Sequence, residues 1–146
     1  MTKEKAKSIK AKLLNIAKNK NINYQQLIIR YLYERLLYRL SVSSYRDKFC
    51  LKGGALLYAF EKEFPRPTLD IDFLGIKIRN DIETLKDVFR EILAMPCNDG
   101  VTIAQFRNRG TKRGLIFFLS TKVFPGNYIH SSIPLGGFDT PMKFVV

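Results

Sequence analysis

The sequence predicts an α+β domain in which a small mixed sheet is flanked by helices. Apolar residues recur at helical spacing near the N-terminus, and short strand-like runs alternate with helical segments from about residue 49 onward. The 146 residues are typical of one domain, and 46% hydrophobic residues suffice for a core. We therefore expect a single domain over residues 1–146, with a helical lead-in over 1–45 and a sheet region over 46–146.

The lead-in contains two predicted helices. Residues 3–20 form a lysine-rich amphipathic helix whose apolar positions are Ile9, Leu13, Ile16 and Ala17. Asn23 is suited to cap a second helix that runs to about Leu40. The apolar stripe predicted for this second helix comprises Leu27, Ile28, Tyr31, Leu32, Leu36 and Leu40.

Tyrosines and arginines interleave along the second helix, which allows two interpretations. The rings can stack on nucleic-acid bases while the guanidinium groups contact phosphates. Alternatively, the rings pack at the edge of the core, which is the more common role of helical tyrosines. The residues concerned are Tyr24, Tyr31, Tyr33, Tyr38, Arg30, Arg35 and Arg39.

The sheet region should contain strands and helices in alternation. Ser43 or Ser44 is expected to cap a short turn that leads to Lys48. Asn80 is expected to cap a helix over 81–94, with Ile82, Leu85, Phe89, Ile92 and Leu93 facing inward. The other predicted elements are a strand at 49–51, a helix at 55–61, a strand at 69–74, strands at 101–106 and 115–119, and short strands and loops in the tail.

The chain is strongly basic, with a formal net charge of +12 and a pI of about 9.9. Such a charge favours a polyanionic partner, although a basic domain with solvated lysines is an equal alternative. Lys3, Lys5, Lys7, Lys10 and Lys12 are the candidates for contacts with an RNA backbone. Two distant cysteines and a single histidine, His130, do not make a zinc site. No signal peptide or membrane span is visible, so a cytoplasmic location is expected.

Asp70 and Asp72 are the most informative pair of residues. Side chains at i and i+2 of a strand lie on one face, so the two carboxylates should be adjacent. Adjacent carboxylates repel each other unless a cation lies between them. Mg²⁺ is usually held by one or two carboxylates together with substrate phosphates. The alternative is an exposed strand face with solvated aspartates.

Lys52, Gly53 and Gly54 separate a predicted strand from a predicted helix. A diglycine lets the backbone approach a ligand closely, and the free N–H groups of a helix N-terminus favour phosphate. A tight strand-to-helix turn is the alternative. Taken with the aspartate pair, this arrangement predicts a phosphate cradle and a metal pair within reach of one triphosphate.

The segments Leu51–Leu56 and Arg66–Gly75 resemble the AbiEii/AbiGii-type nucleotidyltransferases, toxins of bacterial abortive-infection and toxin–antitoxin systems in the polymerase-beta-like superfamily. The resemblance spans roughly residues 20–100. It implies a nucleotidyltransferase-like fold, an NTP substrate, Mg²⁺ or Mn²⁺, transfer to an acceptor such as tRNA or another RNA, a cognate antitoxin and no membrane. It also implies that Asp70 and Asp72 bind the metal, and that the nucleotide is bound by Lys52, Gly53, Gly54, Ala55, Arg66 and Thr68.

The sequence departs from the family pattern in three places. Ala55 stands where a serine or threonine is common. A third catalytic carboxylate is expected on a later strand, and Asp139 is the one candidate carboxylate, with His130 as a weaker alternative for accepting the proton of the acceptor hydroxyl. The family's C-terminal helical part is expected to be absent from this sequence, whose last residue is Val146. A fragment, a reading frame that diverges near residue 103, and a shortened inactive relative all fit this pattern.

Two other functions compete with a metal-dependent nucleotidyltransferase toxin. One is a non-enzymatic basic module that binds nucleic acid or a protein partner. The other is a small-molecule nucleotidyltransferase of the antibiotic-modifying kind.

Overall fold

A computed structural model describes residues 3–60, 70–79, 81–99, 101–111, 114–124, 127–129 and 143–145. The elements confirm the predicted α+β class and the alternation of strands and helices after the lead-in. The helices are α1 (Lys3–Asn19), α2 (Tyr24–Val42), α3 (Gly53–Phe60) and α4 (Ile82–Ala94). A 3-10 turn spans Arg46–Lys48, and its N-cap is Tyr45, without a side-chain hydrogen bond, so the prediction that Ser43 or Ser44 caps this turn was wrong. The strands are β1 (Phe49–Lys52), β2 (Asp70–Gly75), β3 (Thr102–Thr111), β4 (Gly114–Phe124), β5 (Asn127–Ile129) and β6 (Lys143–Val145).

The strands form one mixed sheet in the order β1-β2-β6-β4-β3, with β5 paired to β4. The β2–β6 pair is parallel, whereas the β1–β2, β3–β4, β4–β5 and β4–β6 pairs are antiparallel. Asp70 and Asp72 of β2 are in register with Lys143 and Val145 of β6. The sheet region therefore places the aspartate strand between β1 and β6.

The core lies on one face of the β1–β2 ribbon. Ile71 and Phe73 are 0% and 1% exposed, whereas the next residue, Leu74, is 54% exposed. Phe49 of β1 and Phe89 of α4 pack on Phe73, with ring centroids 6.0 and 6.3 Å from it. This period-2 burial is typical of a strand with one face on the core, and it leaves Asp72 on the opposite, open face.

The lead-in helices follow the predicted pattern with one exception. Asn23 caps α2, and its side-chain oxygen accepts hydrogen bonds from the backbone N–H groups of Gln25 and Gln26. Leu13 and Ala17 of α1 are buried as predicted, but Ile16 is exposed. Ile16 is one of the four predicted apolar positions, but the stripe that α1 buries is narrower and does not include it.

The start of α4 corrects a second prediction. Asp81, not Asn80, is the N-cap, and its carboxylate accepts hydrogen bonds from both the backbone N–H and the hydroxyl of Thr84. Ile82 is exposed, while Val88, which was not predicted, is buried. The apolar face therefore begins one turn later than the sequence suggested.

Arg39 occupies a position that the sequence did not predict. It is 2% exposed on α2, and its guanidinium forms hydrogen bonds of 2.7 and 3.1 Å with the Asp99 carboxylate. It also donates to the Val101 carbonyl, and the Tyr31 hydroxyl donates to the Asp99 carbonyl. These contacts fasten the segment before β3 to α2, so Arg39 is structural and does not contact nucleic acid.

Most tyrosines of α2 pack at the core edge. Tyr33 is buried, Tyr24 and Tyr31 are half-buried, and burial raises the pKa of the latter two phenols. Arg30 pairs with Glu34 one turn away. The packing interpretation is thus confirmed for these tyrosines, and only Arg35 and Tyr38 keep the arrangement expected of a nucleic-acid contact among the interleaved residues that the structure describes.

Candidate active site

The turn from β1 into α3 lies directly beside β2. Lys52, the last residue of β1, is in register with Asp72, and α3 begins at the following residue, Gly53. The sequence predicted a helix start at residue 55, so the observed helix begins two residues earlier. As a result the first turn of α3 contains both glycines and stands next to the aspartate strand.

Gly53 contacts the Asp72 side chain closely. Its φ angle is +66°, in the left-handed region that side chains disfavour. A Cβ built on Gly53 would overlap Asp72 Oδ2 and lie 3.2 Å from Asp72 Cγ. Both the backbone conformation and the space available therefore require glycine here, which explains one half of the diglycine motif.

Asp72 presents a carboxylate that has no partner among the described residues. Its side chain is partly exposed on the open face of the sheet, and no described residue forms a hydrogen bond or an ion pair with it. The N-terminus of α3 lies beside it and carries a partial positive charge, which stabilises a carboxylate. Since the first N–H groups of a helix lack partners within the helix, the start of α3 offers hydrogen-bond donors close to this carboxylate.

The other candidate residues that the structure describes near Gly53 and Asp72 are Lys52, Gly54 and Ala55, and they differ in exposure. The Lys52 side chain is exposed, as is Gly54. Ala55 is buried and its methyl group packs in the core. At position 55, the backbone N–H is therefore the group that can bind a phosphate.

Asp70 begins β2, two residues before Asp72 in the same strand. The backbone thus has the i, i+2 relationship on which the metal-pair prediction rests. Among the described residues, no group of three or more histidine, cysteine, aspartate or glutamate side chains could hold a metal ion. Two carboxylates suit Mg²⁺ or Mn²⁺ when substrate phosphates complete the coordination, so the donor chemistry fits a metal–nucleotide site better than a site formed by protein alone.

Four residues considered at the sequence level lie outside the described residues: Arg66, Thr68, His130 and Asp139. The structure brings together Lys52, Gly53 and Asp72, with Gly54 and Ala55 following in α3. What sequence reasoning missed is that Gly53 is required by Asp72 itself. The diglycine indicated that some group lies very close to the backbone at this turn, but the sequence did not show that this group is the Asp72 carboxylate.

A family model described as "Nucleotidyl transferase AbiEii toxin, Type IV TA system" matches residues 35–137. The chain belongs to this family. The AbiEii match contains Lys52, both glycines and both aspartates of β2, and it confirms the resemblance found in the sequence. A search among curated proteins finds no relative of this AbiEii chain. In the part of the chain that the structure describes, no helix is both long and apolar enough to cross a membrane.

Proposed function

We propose that this chain binds a metal–NTP complex at Gly53 and Asp72 and transfers the nucleotidyl group to an acceptor such as tRNA. The observation that carries the proposal is the contact between Gly53 and Asp72 at the N-terminus of α3. It unites a phosphate-binding backbone with a carboxylate that has no partner among the described residues. Membership in the AbiEii nucleotidyltransferase family supports the same conclusion.

Asp70 and Asp72 would hold the cation, Mg²⁺ or Mn²⁺. When bound, the cation neutralises negative charge on the nucleotide phosphates. The N–H groups of Gly53, Gly54 and Ala55 orient the phosphate oxygens, and the Lys52 ammonium group adds positive charge on the same side of the ribbon.

Three residues outside the described part of the chain complete the proposal. Arg66 and Thr68 precede β2 and bind the nucleotide. Asp139 accepts the proton of the acceptor hydroxyl as its oxygen bonds to the α-phosphorus and the bond to pyrophosphate breaks. A cytoplasmic location, a role in abortive infection and a cognate antitoxin belong to the same proposal, which the type IV toxin family supports.

Label transfer tests the activity. The full chain is incubated with each α-³²P-labelled NTP, Mg²⁺ and total tRNA, and labelled RNA is resolved on a denaturing gel. We expect transfer from at least one NTP, loss of transfer with EDTA, and loss with Asp72→Asn. Asp87→Asn on the exposed face of α4 is the matched control and should retain transfer.

Failure of all four NTPs with a folded chain would refute the proposed transfer to tRNA. If the chain transfers no label but binds RNA with an affinity that neither Mg²⁺ nor Asp72→Asn changes, the non-enzymatic basic module is favoured. Transfer to aminoglycosides in place of tRNA would instead indicate the antibiotic-modifying kind of nucleotidyltransferase.

A further inference from the structure

Arg35 differs from the arginines around it on α2. Its guanidinium carbon lies 5.4 Å from the Tyr31 ring centroid and 5.6 Å from that of Tyr38. Cation–π contacts of this kind hold the guanidinium in place but use none of its hydrogen-bond donors. The Arg35 side chain is therefore oriented by aromatic rings alone among the described residues.

The donors of Arg35 lack acceptors in the described part of the chain. Its Nε is buried without a hydrogen-bond partner, and no described carboxylate forms an ion pair with the side chain. Arg39 Nε is likewise buried without a partner, but the other two guanidinium nitrogens of Arg39 bind Asp99, and Arg30 binds Glu34. Among the interleaved arginines that the structure describes, Arg35 is therefore the one whose guanidinium charge has no carboxylate partner, which leaves this charge available to an anion.

Tyr38 supplies a second recognition element beside this charge. Its side chain is 49% exposed, whereas Tyr31 is anchored through its hydroxyl to Asp99. An exposed aromatic ring next to a guanidinium suits single-stranded nucleic acid, in which a base stacks on the ring and the adjoining phosphate binds the cation. The net charge of +12 favours such a polyanion over a neutral ligand.

We propose that Arg35 and Tyr38 form a binding site for single-stranded RNA, with a phosphate on Arg35 and a base stacked on Tyr38. This inference rests on the proposed function in one respect only: the bound RNA is taken to be a single-stranded part of the acceptor. The site lies on α2 and contains none of the residues that bind the nucleotide, so it positions the acceptor without taking part in chemistry.

Binding of a fluorescein-labelled single-stranded RNA of mixed sequence tests the site. Fluorescence anisotropy of the full chain is measured over a range of salt concentrations, without NTP or divalent metal. The variants are Arg35→Gln, Tyr38→Leu and Tyr38→Phe, and Arg90→Gln on α4 is the control for loss of one exposed positive charge. Thermal unfolding confirms that each variant is folded.

Tyr38→Leu should raise the Kd at least about fivefold because it removes the aromatic plane, whereas Tyr38→Phe should bind like the wild type. Arg35→Gln should also raise the Kd and reduce the slope of log K against log salt by about 0.7, the value for one phosphate contact to a single strand. If Arg35→Gln does not fold, the difference in Kd between Tyr38→Leu and Tyr38→Phe still tests the proposed site.

Equal Kd values for Tyr38→Leu, Tyr38→Phe and Arg90→Gln would overturn the inference. So would weakening by Arg35→Gln alone, which would indicate a surface for an acidic protein. Because these assays omit NTP and metal, a chain that binds RNA through this site but transfers no nucleotide would retain the RNA site and lose only the proposed function.

Discussion

Gly53 lies so close to Asp72 that a methyl group on Gly53 would overlap the carboxylate. The positive φ of Gly53 turns the chain from β1 into α3, and the strand register places Lys52 opposite Asp72 at the same point. The turn that connects two secondary-structure elements is thus also the place where a helix N-terminus meets a carboxylate. Stability and ligand binding should both depend on Gly53.

Gly53→Ala should destabilise the fold by at least about 1 kcal/mol, because a left-handed backbone disfavours a side chain and the new Cβ would displace Asp72. Gly54→Ala is the matched comparison: Gly54 is exposed, in the first turn of α3, and lacks a positive φ. It should be neutral or slightly stabilising, since alanine favours helix over glycine. Urea denaturation followed by circular dichroism measures both, and equal losses would contradict the conformational argument.

Arg39→Met should destabilise the chain by about 3–5 kcal/mol, because it leaves the buried Asp99 carboxylate without its partner. Arg90→Met removes an arginine from an exposed pair and should cost less than about 1 kcal/mol. Denaturant unfolding of the two variants provides the comparison. A loss for Arg39→Met no larger than for Arg90→Met would show that the Arg39–Asp99 pair does not fasten α2 to the segment before β3.

Ionisation of Asp81 should stabilise the fold, and this contribution should be lost at low pH. Hydrogen bonds from the Thr84 backbone and hydroxyl, and then the nearby Arg79 charge, lower the pKa of Asp81 below 3.8. A lowered folded-state pKa contributes stability that is fully present above the unfolded-state pKa and is lost as pH falls through the folded-state pKa. The difference in unfolding free energy between wild type and Asp81→Asn should therefore be constant above about pH 5 and shrink at lower pH.

Acid titration of the unfolding midpoint of both proteins measures this difference. Asparagine keeps an acceptor oxygen at the cap but does not titrate, so it isolates the contribution of ionisation. A difference that stays constant down to pH 2 would mean that the Asp81 carboxylate does not cap α4 in solution.

The local structure around the candidate site was predictable where a strict local pattern specifies geometry. Alternation around Asp72 specifies the buried face through Ile71 and Phe73, and the diglycine locates the turn from β1 into α3 to within two residues. Asn23 was identifiable as a cap because its position before an apolar stripe is a local signal. Each of these features depends on residues a few positions apart.

The features that were missed depend on contacts between distant residues. Arg39 looked like a surface arginine because its partner Asp99 is 60 positions away. The N-cap of α4 is a local exception, because Asn80 and Asp81 both suit this position and only the hydrogen bonds from Thr84 identify Asp81 as the cap. The proximity of Gly53 to Asp72 likewise follows from the pairing of β1 with β2, which sequence periodicity does not determine.

Calorimetric titration of each NTP into the full chain, with and without Mg²⁺, tests the central claim most directly. We expect at least one NTP to bind in a Mg²⁺-dependent manner. Asp72→Asn should weaken that binding at least about tenfold, equivalent to about 1.4 kcal/mol, while Asp87→Asn leaves it unchanged. Absence of Mg²⁺-dependent binding, or equal affinity of Asp72→Asn and the wild type, would contradict a metal–nucleotide site at Gly53 and Asp72.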